Sequence, residues 1–335
     1  MSKGVVEFVK LGEEAMAEEE YNSSVDYFRQ GLAIAPKDFT ALFGMAEVLR
    51  FKEEYDKAAA YYREAQRIDP EQFYGHWEMA FSYDMAGKVA EARVGYEDCL
   101  RRDPDHGVAR HLLAALIGET SPAAPKDYVE ELFDDYAETF DQCLLNDLDY
   151  TVPDLIRRKL DTLNAGIAYD TVLDLGCGTG LVGAAIRDLC NEIHGVDLSA
   201  KMIEQANVKN IFSHTATGDI VEFLQSGDLG AAHYDLIVAG DVFVYFGDLD
   251  PIFQAVRKRL GINRRFVFTV EKLTEDKEDD GYSIQRSGRY AHSRNYLVSC
   301  SERWNMTVES IEDIIPRKEG ELLISGFLCC LKLEE

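Results

Sequence analysis

Two features of the 335-residue sequence predict a chain of two domains, an α-helical repeat array followed by an α/β domain with a doubly wound parallel sheet. The first feature is the 34-residue spacing between Pro36, Pro70 and Pro104. The second is an apolar strand at residues 171–175 that runs into a glycine-rich turn and then a helix. The chain is too long for one ordinary domain, so the two features are expected to lie in separate domains.

The proline spacing marks three repeats of two helices. Small residues let the paired helices approach closely, an aromatic residue fills the space toward the next pair, and the proline lies between repeats, where a missing N–H costs little. The pattern resembles the tetratricopeptide repeat, and we assign residues 1–118 to an α-helical solenoid of this type, with residues 107–118 as its capping helix. Alignment on the prolines brings four sets into register: Gly12, Ala46 and Ala80; Ser24, Ala58 and Ala92; Phe28, Tyr62 and Tyr96; Gly31, Ala65 and Cys99.

The resemblance implies a concave surface that binds a protein or a peptide. In the alternative interpretation, the array serves self-association or only shapes the domain that follows it. The match is stronger in spacing than in identity, because the consensus Trp is absent from the first two repeats and Trp77 lies one position away from it in the third.

A linker is predicted at residues 119–126, ETSPAAPK, because two prolines and small residues end the helical array there. The second domain then spans residues 127–335. An amphipathic helix with an aromatic stripe opens this domain, as predicted from the helical spacing of Val129, Leu132, Phe133, Tyr136 and Phe140. Packing accounts for Leu132 and Phe133, whereas Tyr136 is a candidate for contact with a ligand.

The glycine turn of the second domain runs from Asp174 through Gly176 and Gly178 to Gly180. Glycine is needed where the backbone passes close to a ligand, and a turn between a parallel strand and a helix is a place for a cofactor. A dinucleotide site would have the spacing G-x-G-x-x-G. An acid at position 174 does not suit a pyrophosphate, but it suits a cofactor with an amino-acid end, whose ammonium needs a partner.

Three further strands of the predicted β-α-β alternation end close to Asp197, Asp219 and Asp241. The segments LDLGCGTG (173–180) and GVDLSAKMIEQA (195–206) together resemble class I S-adenosylmethionine-dependent methyltransferases, which have a Rossmann-like fold. With YVEELFDDYAETFD, DVFVYFGDL and SGRYAHS, the resemblance extends to predicted methyltransferases that carry an N-terminal repeat array.

The resemblance implies S-adenosyl-L-methionine as the cofactor, with the first helix of the domain laid over it as a lid. It implies that Asp197 accepts hydrogen bonds from the ribose hydroxyls and that Asp219 meets the adenine amino group. Further cofactor contacts are expected from Leu198, Met202, Ile220, Asp241 and Tyr136.

The acceptor side is expected to be formed by Asp241, Tyr245, Arg289, Tyr290 and His292. Tyr245, Tyr290 and His292 are the catalytic candidates, since a histidine can act as a base near neutral pH, although His292 can equally be a structural residue. Arg289 can clamp an acceptor carboxylate or be an ion-paired surface residue. The charged segment 273–281 is a candidate second lid. Methylation of oxygen or a carboxylate is favoured, because AGDVFVY replaces the N/D-P-P-Y/F run of amino-methylating nucleic-acid enzymes.

The net charge and the cysteine content restrict the partners and the cellular compartment that we expect. The net charge of −26 disfavours a nucleic-acid partner, since such binding relies on Lys and Arg. Seven cysteines without zinc-site spacing predict a reducing compartment and no metal, and the absence of a signal-like or membrane-spanning segment predicts a cytoplasmic protein. Two functions stay open: an active methyltransferase that uses its repeats to recruit a protein or a substrate, and a binding scaffold whose cofactor domain has lost catalysis.

Overall fold

The computed structural model describes residues 3–163, 168–226, 229–274 and 281–335. The chain divides into two compact units, Met1–Ile117 and Gly118–Glu335. Most of the segment predicted as a second lid, residues 275–280, lies outside the described residues.

The first unit is an all-helical array, which confirms the predicted repeat fold. Turns with Pro36, Pro70 and Pro104 separate successive pairs of helices. The capping helix of the prediction is the last of the seven helices described in this unit. Their bounds are α1 Lys3–Ala17, α2 Tyr21–Ile34, α3 Phe39–Phe51, α4 Tyr55–Ile68, α5 His76–Met85, α6 Val89–Arg102 and α7 Gly107–Ile117.

The aromatic residues that the repeat aligns form the centre of the array. Phe28, Tyr62 and Tyr96 are each fully buried. The ring of Phe28 fills the space between α1 and α3, since a Cβ added at Gly12 would lie 2.9 Å from this ring and one added at Gly44 only 2.4 Å from it. Gly12, one of the aligned small residues, and Gly44 therefore leave the space that the Phe28 ring occupies.

The second unit begins with helices and continues as alternating strands and helices. A short π-helical segment, Cys143–Asp147, follows α9. The helices are α8 Lys126–Tyr136, α9 Phe140–Gln142, α10 Val152–Leu163, α11 Leu181–Ile186, α12 Ala200–Val208, α13 Ile220–Ser226, α14 Asp250–Arg259 and α15 Arg294–Arg303. The strands are β1 Tyr169–Leu175, β2 Cys190–Asp197, β3 His214–Thr217, β4 Tyr234–Ala239, β5 Leu260–Lys272, β6 Tyr282–Ile284, β7 Tyr290–His292, β8 Met306–Ile314, β9 Lys318–Glu319, β10 Leu322–Leu323 and β11 Gly326–Leu333.

The main sheet has the strand order β3-β2-β1-β4-β5-β11-β8. The first five of these strands are parallel, as the sequence predicts, and β11 and β8 add an antiparallel pair. Short β7 pairs in parallel with the end of β5, and β9 and β10 form a separate hairpin. The order reverses between β1 and β4, which places the crevice of the sheet at the carboxyl ends of these strands.

Both faces of the sheet are covered by apolar residues. One face packs with α13, α14 and α15, and the other with α10 and α11. Strands buried on both faces are near-continuous apolar runs, as in LIVA of β4. This double layer confirms the Rossmann-like fold predicted from the sequence.

The segment 119–126, which the sequence predicts as a linker, lies in the second unit. The Ala124 amide donates to the Tyr245 carbonyl at 2.9 Å, and the Pro122 carbonyl accepts from the amides of Gly247 and Asp248. These bonds fix the segment beside the loop that follows β4. Separately, no helix of the described residues is long and apolar enough to cross a membrane.

Candidate active site

The glycine turn after β1 uses backbone conformations that side chains rarely adopt. Gly176, Gly178 and Gly180 have φ values of 61°, 52° and 93°. A Cβ at Gly176 would lie 2.4 Å from Val242, so this glycine is also required by packing. At Gly178, in contrast, the nearest atom to an added Cβ lies 3.7 Å away. The turn therefore leaves space beside Gly178, where a ligand can approach the backbone.

Asp197, at the end of β2, is tied to this turn. One carboxylate oxygen accepts from the Gly178 amide at 2.8 Å and the other from the Ser199 amide at 2.9 Å. Burial raises the pKa of Asp197 to about 6, although the amides of Ser199, Gly178 and Leu198 oppose the shift. Asp197 thus stabilises the conformation of the glycine turn through the Gly178 amide.

Asp174 is a buried carboxylate without a partner. Its side chain is 1% exposed, and neither oxygen has a hydrogen-bond partner in the described part of the chain. Burial, followed by the charge of Asp197, raises its pKa to about 8, while the nearby Gly183 amide, which falls short of a full hydrogen bond, opposes the shift. An unpaired buried carboxylate is costly unless a cation joins it. The residue therefore fits the ammonium of an amino-acid cofactor.

Asp219 and the residues around α12 complete the cofactor side. Asp219 caps α13 by accepting from the amides of Val221 and Glu222, and its other oxygen lies 3.3 Å from Lys126 of α8. Ile220 and Met202 are buried, and Leu198 is partly exposed at the start of the loop to α12. We did not predict Lys126, which follows a proline and shows no pattern in the sequence.

The first helices of the unit lie against the cofactor side, as a lid would. The Ser199 hydroxyl donates to Asp134 of α8 at 2.5 Å, and the Thr179 hydroxyl donates to Asp141 of α9. The atom nearest to a Cβ added at Gly178 belongs to Phe140. Tyr136, our aromatic candidate, is 51% exposed.

A second group of polar side chains lies at the carboxyl ends of β4 and β5, and we call it the acceptor-side cluster: Asp241, Tyr245, Glu271, Arg289, Arg317 and Glu319. Arg317 is 2% exposed and donates to both oxygens of Asp241, at 2.7 and 2.8 Å, and to Glu271. Asp241 has a left-handed φ of 60°, and its amide donates to the Thr269 hydroxyl at 2.8 Å. Arg317 thus secures a strained backbone position.

Arg289 and Tyr245 belong to the same cluster. Arg289 donates to Glu319, and it lies close enough to Tyr245 for its charge to oppose the rise in the Tyr245 pKa that burial causes. Neighbouring Tyr245, Glu319, Asp241 and Glu271 raise the pKa of Arg289 despite its burial. We had predicted Tyr245, Arg289 and Asp241, but not the partners Glu271, Arg317 and Glu319.

Tyr150, which we did not predict, connects the two groups. Burial raises the pKa of its hydroxyl well above the usual value, and the charges of Asp241, Arg317 and Asp174 all act on it. Its hydroxyl is therefore near charged residues of both groups. No group of three or more metal-ligating side chains is arranged to hold an ion within the described ranges.

The structure places Tyr290 and His292 in the core, unlike the open acid–base site that we expected. Both are fully buried on β7. His292 Nε2–H donates to the Gly247 carbonyl at 3.0 Å, and burial lowers its pKa to about 4. The Tyr290 hydroxyl bonds to the Ser121 hydroxyl at 2.6 Å. The reason is that GRYAHS (288–293) contains the short strand β7, which pairs with the end of β5. Its side chains hydrogen-bond to neighbouring loops.

Three family models match the chain. Residues 173–264 match a model described as a methyltransferase domain, and residues 39–72 and 76–106 match two models of the tetratricopeptide repeat. The chain is similar to an S-adenosylmethionine-dependent methyltransferase from Clostridium acetobutylicum ATCC 824, with 20% identity and a TM-score of 0.45, over 61% of this chain and 100% of that one. Magnesium protoporphyrin IX methyltransferase from Synechocystis PCC 6803 gives 15% identity and a TM-score of 0.48, over 63% and 100%. No curated protein matches the sequence.

The methyltransferase model covers the glycine turn, Asp197 and Asp241, the elements that form the site. The second unit therefore contains an S-adenosylmethionine-dependent methyltransferase domain, with S-adenosylmethionine as its cofactor. The chain therefore carries tetratricopeptide repeats in front of a methyltransferase domain.

Proposed function

We propose that the protein transfers a methyl group to an oxygen of its acceptor, either a hydroxyl or a carboxylate, and that its repeats recruit a protein partner or the substrate. The observation that carries the proposal of an active enzyme is Asp174, which is buried and unpartnered beside the open glycine turn. A domain kept only as a scaffold has no need for an uncompensated carboxylate in its core.

The residues of the cofactor side have separate roles in this proposal. Asp174 receives the ammonium, Asp197 the ribose hydroxyls and Asp219 the adenine amino group, while Gly178 lets the backbone approach the cofactor. The bound cofactor supplies an activated methyl group: the acceptor oxygen bonds the methyl carbon, sulfur keeps the electron pair of the broken bond, and a hydroxyl acceptor also releases a proton to water. Residues of the acceptor-side cluster orient the acceptor.

The α4–α5 loop and its neighbouring helices offer a surface for the partner. Tyr74, in this loop, is 69% exposed, and its ring packs at a tilt against Phe43, with ring centroids 4.4 Å apart. Arg50 lies over the ring of Trp77 at 5.9 Å. Exposed aromatic side chains of this kind are enriched at protein interfaces. All seven cysteines are free, and we place the protein in the cytoplasm, where thiols stay reduced.

The proposal is tested by transfer of a radiolabelled methyl group from the cofactor into a lysate that is then separated by molecular weight. Label in the protein or the small-molecule fraction is expected with the native chain and not with Gly178→Val. Calorimetry on the same samples gives cofactor affinity. Binding of the cofactor without any transfer would favour a scaffold with an inactive domain.

A further inference from the structure

The two arginines of the acceptor-side cluster differ from a free anion-binding site, because both already pair with carboxylates of the chain. In Arg317, Nη1 donates to both oxygens of Asp241, Nη2 faces Glu271 and Glu319, and Nε faces Glu319 at 3.4 Å. A guanidinium has five N–H donors. Arg317 thus has none left for an acceptor.

Arg289 is the remaining candidate for a carboxylate clamp, and a carboxylate of the chain already occupies it. Nη1 of Arg289 donates to Glu319. Glu319 belongs to the β9–β10 hairpin, and its side chain is one-third exposed. Glu319 therefore already pairs with the arginine that an acceptor carboxylate would use.

The net charge of the acceptor-side cluster also disfavours a carboxylate acceptor. Its guanidinium groups, Arg289 and Arg317, face three carboxylates, Asp241, Glu271 and Glu319. With all five groups ionised, one negative charge is in excess in a largely buried site. A carboxylate acceptor would add another, and like charges brought together at low dielectric repel strongly. A hydroxyl acceptor brings no charge and can donate a hydrogen bond to the surplus carboxylate.

We infer that the acceptor presents an uncharged hydroxyl group, and not a carboxylate, to the methyl donor. The inference rests on the proposed function and selects between its two kinds of oxygen. Glu319 acts in it as a specificity-determining residue, since it neutralises Arg289 and excludes anions from the site.

A binding experiment tests the inference without requiring activity. Benzoate is titrated into the full chain saturated with S-adenosylhomocysteine, and saturation-transfer NMR reports its binding. The native chain is expected to bind no benzoate at this site. Glu319→Ala frees Arg289 and should raise benzoate affinity about tenfold or more, which the double variant Glu319→Ala, Arg289→Gln should abolish. Glu321→Ala, an exposed acid of the same hairpin, is the matched control. Benzoate binding by the native chain that is lost in Arg289→Gln would overturn the inference.

The chemistry of the product gives a second test. Methyl esters release methanol in alkali, whereas methyl ethers do not. Label transferred by the native chain should stay in the product after alkaline treatment. Release of most of the label as volatile methanol would show a carboxylate acceptor and contradict the inference. A lysate that takes up no label at all, with the cofactor bound, counts against the proposed function instead, and the benzoate titration still decides the choice of acceptor.

Discussion

The cofactor side and the acceptor side of the site are built in different ways. On the cofactor side, Asp174 and Gly178 lie in one short segment, and Asp197 follows at the end of the next strand. On the acceptor side, Asp241 depends on Arg317, which lies 76 residues further along the chain. One side keeps a buried carboxylate unpaired for a ligand, and the other pairs its charges internally. We propose that the first binds a cation and the second an uncharged group.

Replacement of Arg317 should have the largest effect on stability. Arg317→Met leaves the buried carboxylates of Asp241 and Glu271 without a counter-charge, and breaking a buried pair in this way costs about 3–5 kcal/mol. Denaturant unfolding of the native chain and the variant measures the loss. The neighbouring surface cation gives the control, since Lys318→Met should change stability by less than about 1 kcal/mol. Equal stabilities of the two variants would show that the ion pairs of Arg317 do not stabilise the fold.

A side chain at Gly178 should abolish cofactor binding. The residue has a left-handed φ of 52°, and a valine would occupy the space beside the turn. We expect the affinity measured by calorimetry to fall about a hundredfold or more, which corresponds to roughly 2.7 kcal/mol. Gly118→Val tests the effect of strain alone, because Gly118 also has a positive φ, 74°, and no atom lies within 4 Å of an added Cβ. Normal cofactor affinity in Gly178→Val would show that the cofactor does not bind beside Gly178.

Removal of the Asp197 carboxylate should weaken both binding and folding. Asp197→Ala removes the proposed ribose acceptor, for an expected loss of affinity of about tenfold, and leaves the Gly178 and Ser199 amides without their acceptor. The unbound chain should then lose about 1–3 kcal/mol of stability. Asp197→Asn retains an acceptor and should lose less. Unfolding and calorimetry on the same samples separate the two effects, and unchanged affinity would deny Asp197 its role in binding.

The raised pKa of Asp174 predicts opposite pH trends for folding and binding. Because its folded pKa of about 8 lies above its unfolded value, the stability from this group is complete below about pH 4 and is lost as pH rises toward 8. Cofactor affinity should instead increase from pH 6 to pH 8, by up to about tenfold per unit, since the ammonium needs the ionised carboxylate. Asp174→Asn should flatten both trends. Parallel trends in the native chain would be inconsistent with an ammonium at this position.

The sequence predicts the two domains and the cofactor side because both depend on local patterns. Proline spacing and the buried aromatic positions define the repeats, and Asp174 and Gly178 belong to one turn. The acceptor side is different: Arg317 and Glu319 follow β8 in a segment without periodicity, and only the folded sheet brings them to Asp241. The chemistry of histidine alone makes His292 a candidate base, whereas burial in β7 lowers its pKa to about 4 and keeps the ring neutral.

The central claim is that Asp174 holds a proton in the unbound enzyme and exchanges it for the ammonium of S-adenosylmethionine. Calorimetric titration with S-adenosylmethionine at pH 7, in two buffers of different ionisation enthalpy, measures this exchange directly. The native chain should bind with release of about one proton, and Asp174→Asn should bind more weakly and release fewer. Equal affinity and equal proton release in the two proteins would contradict the account.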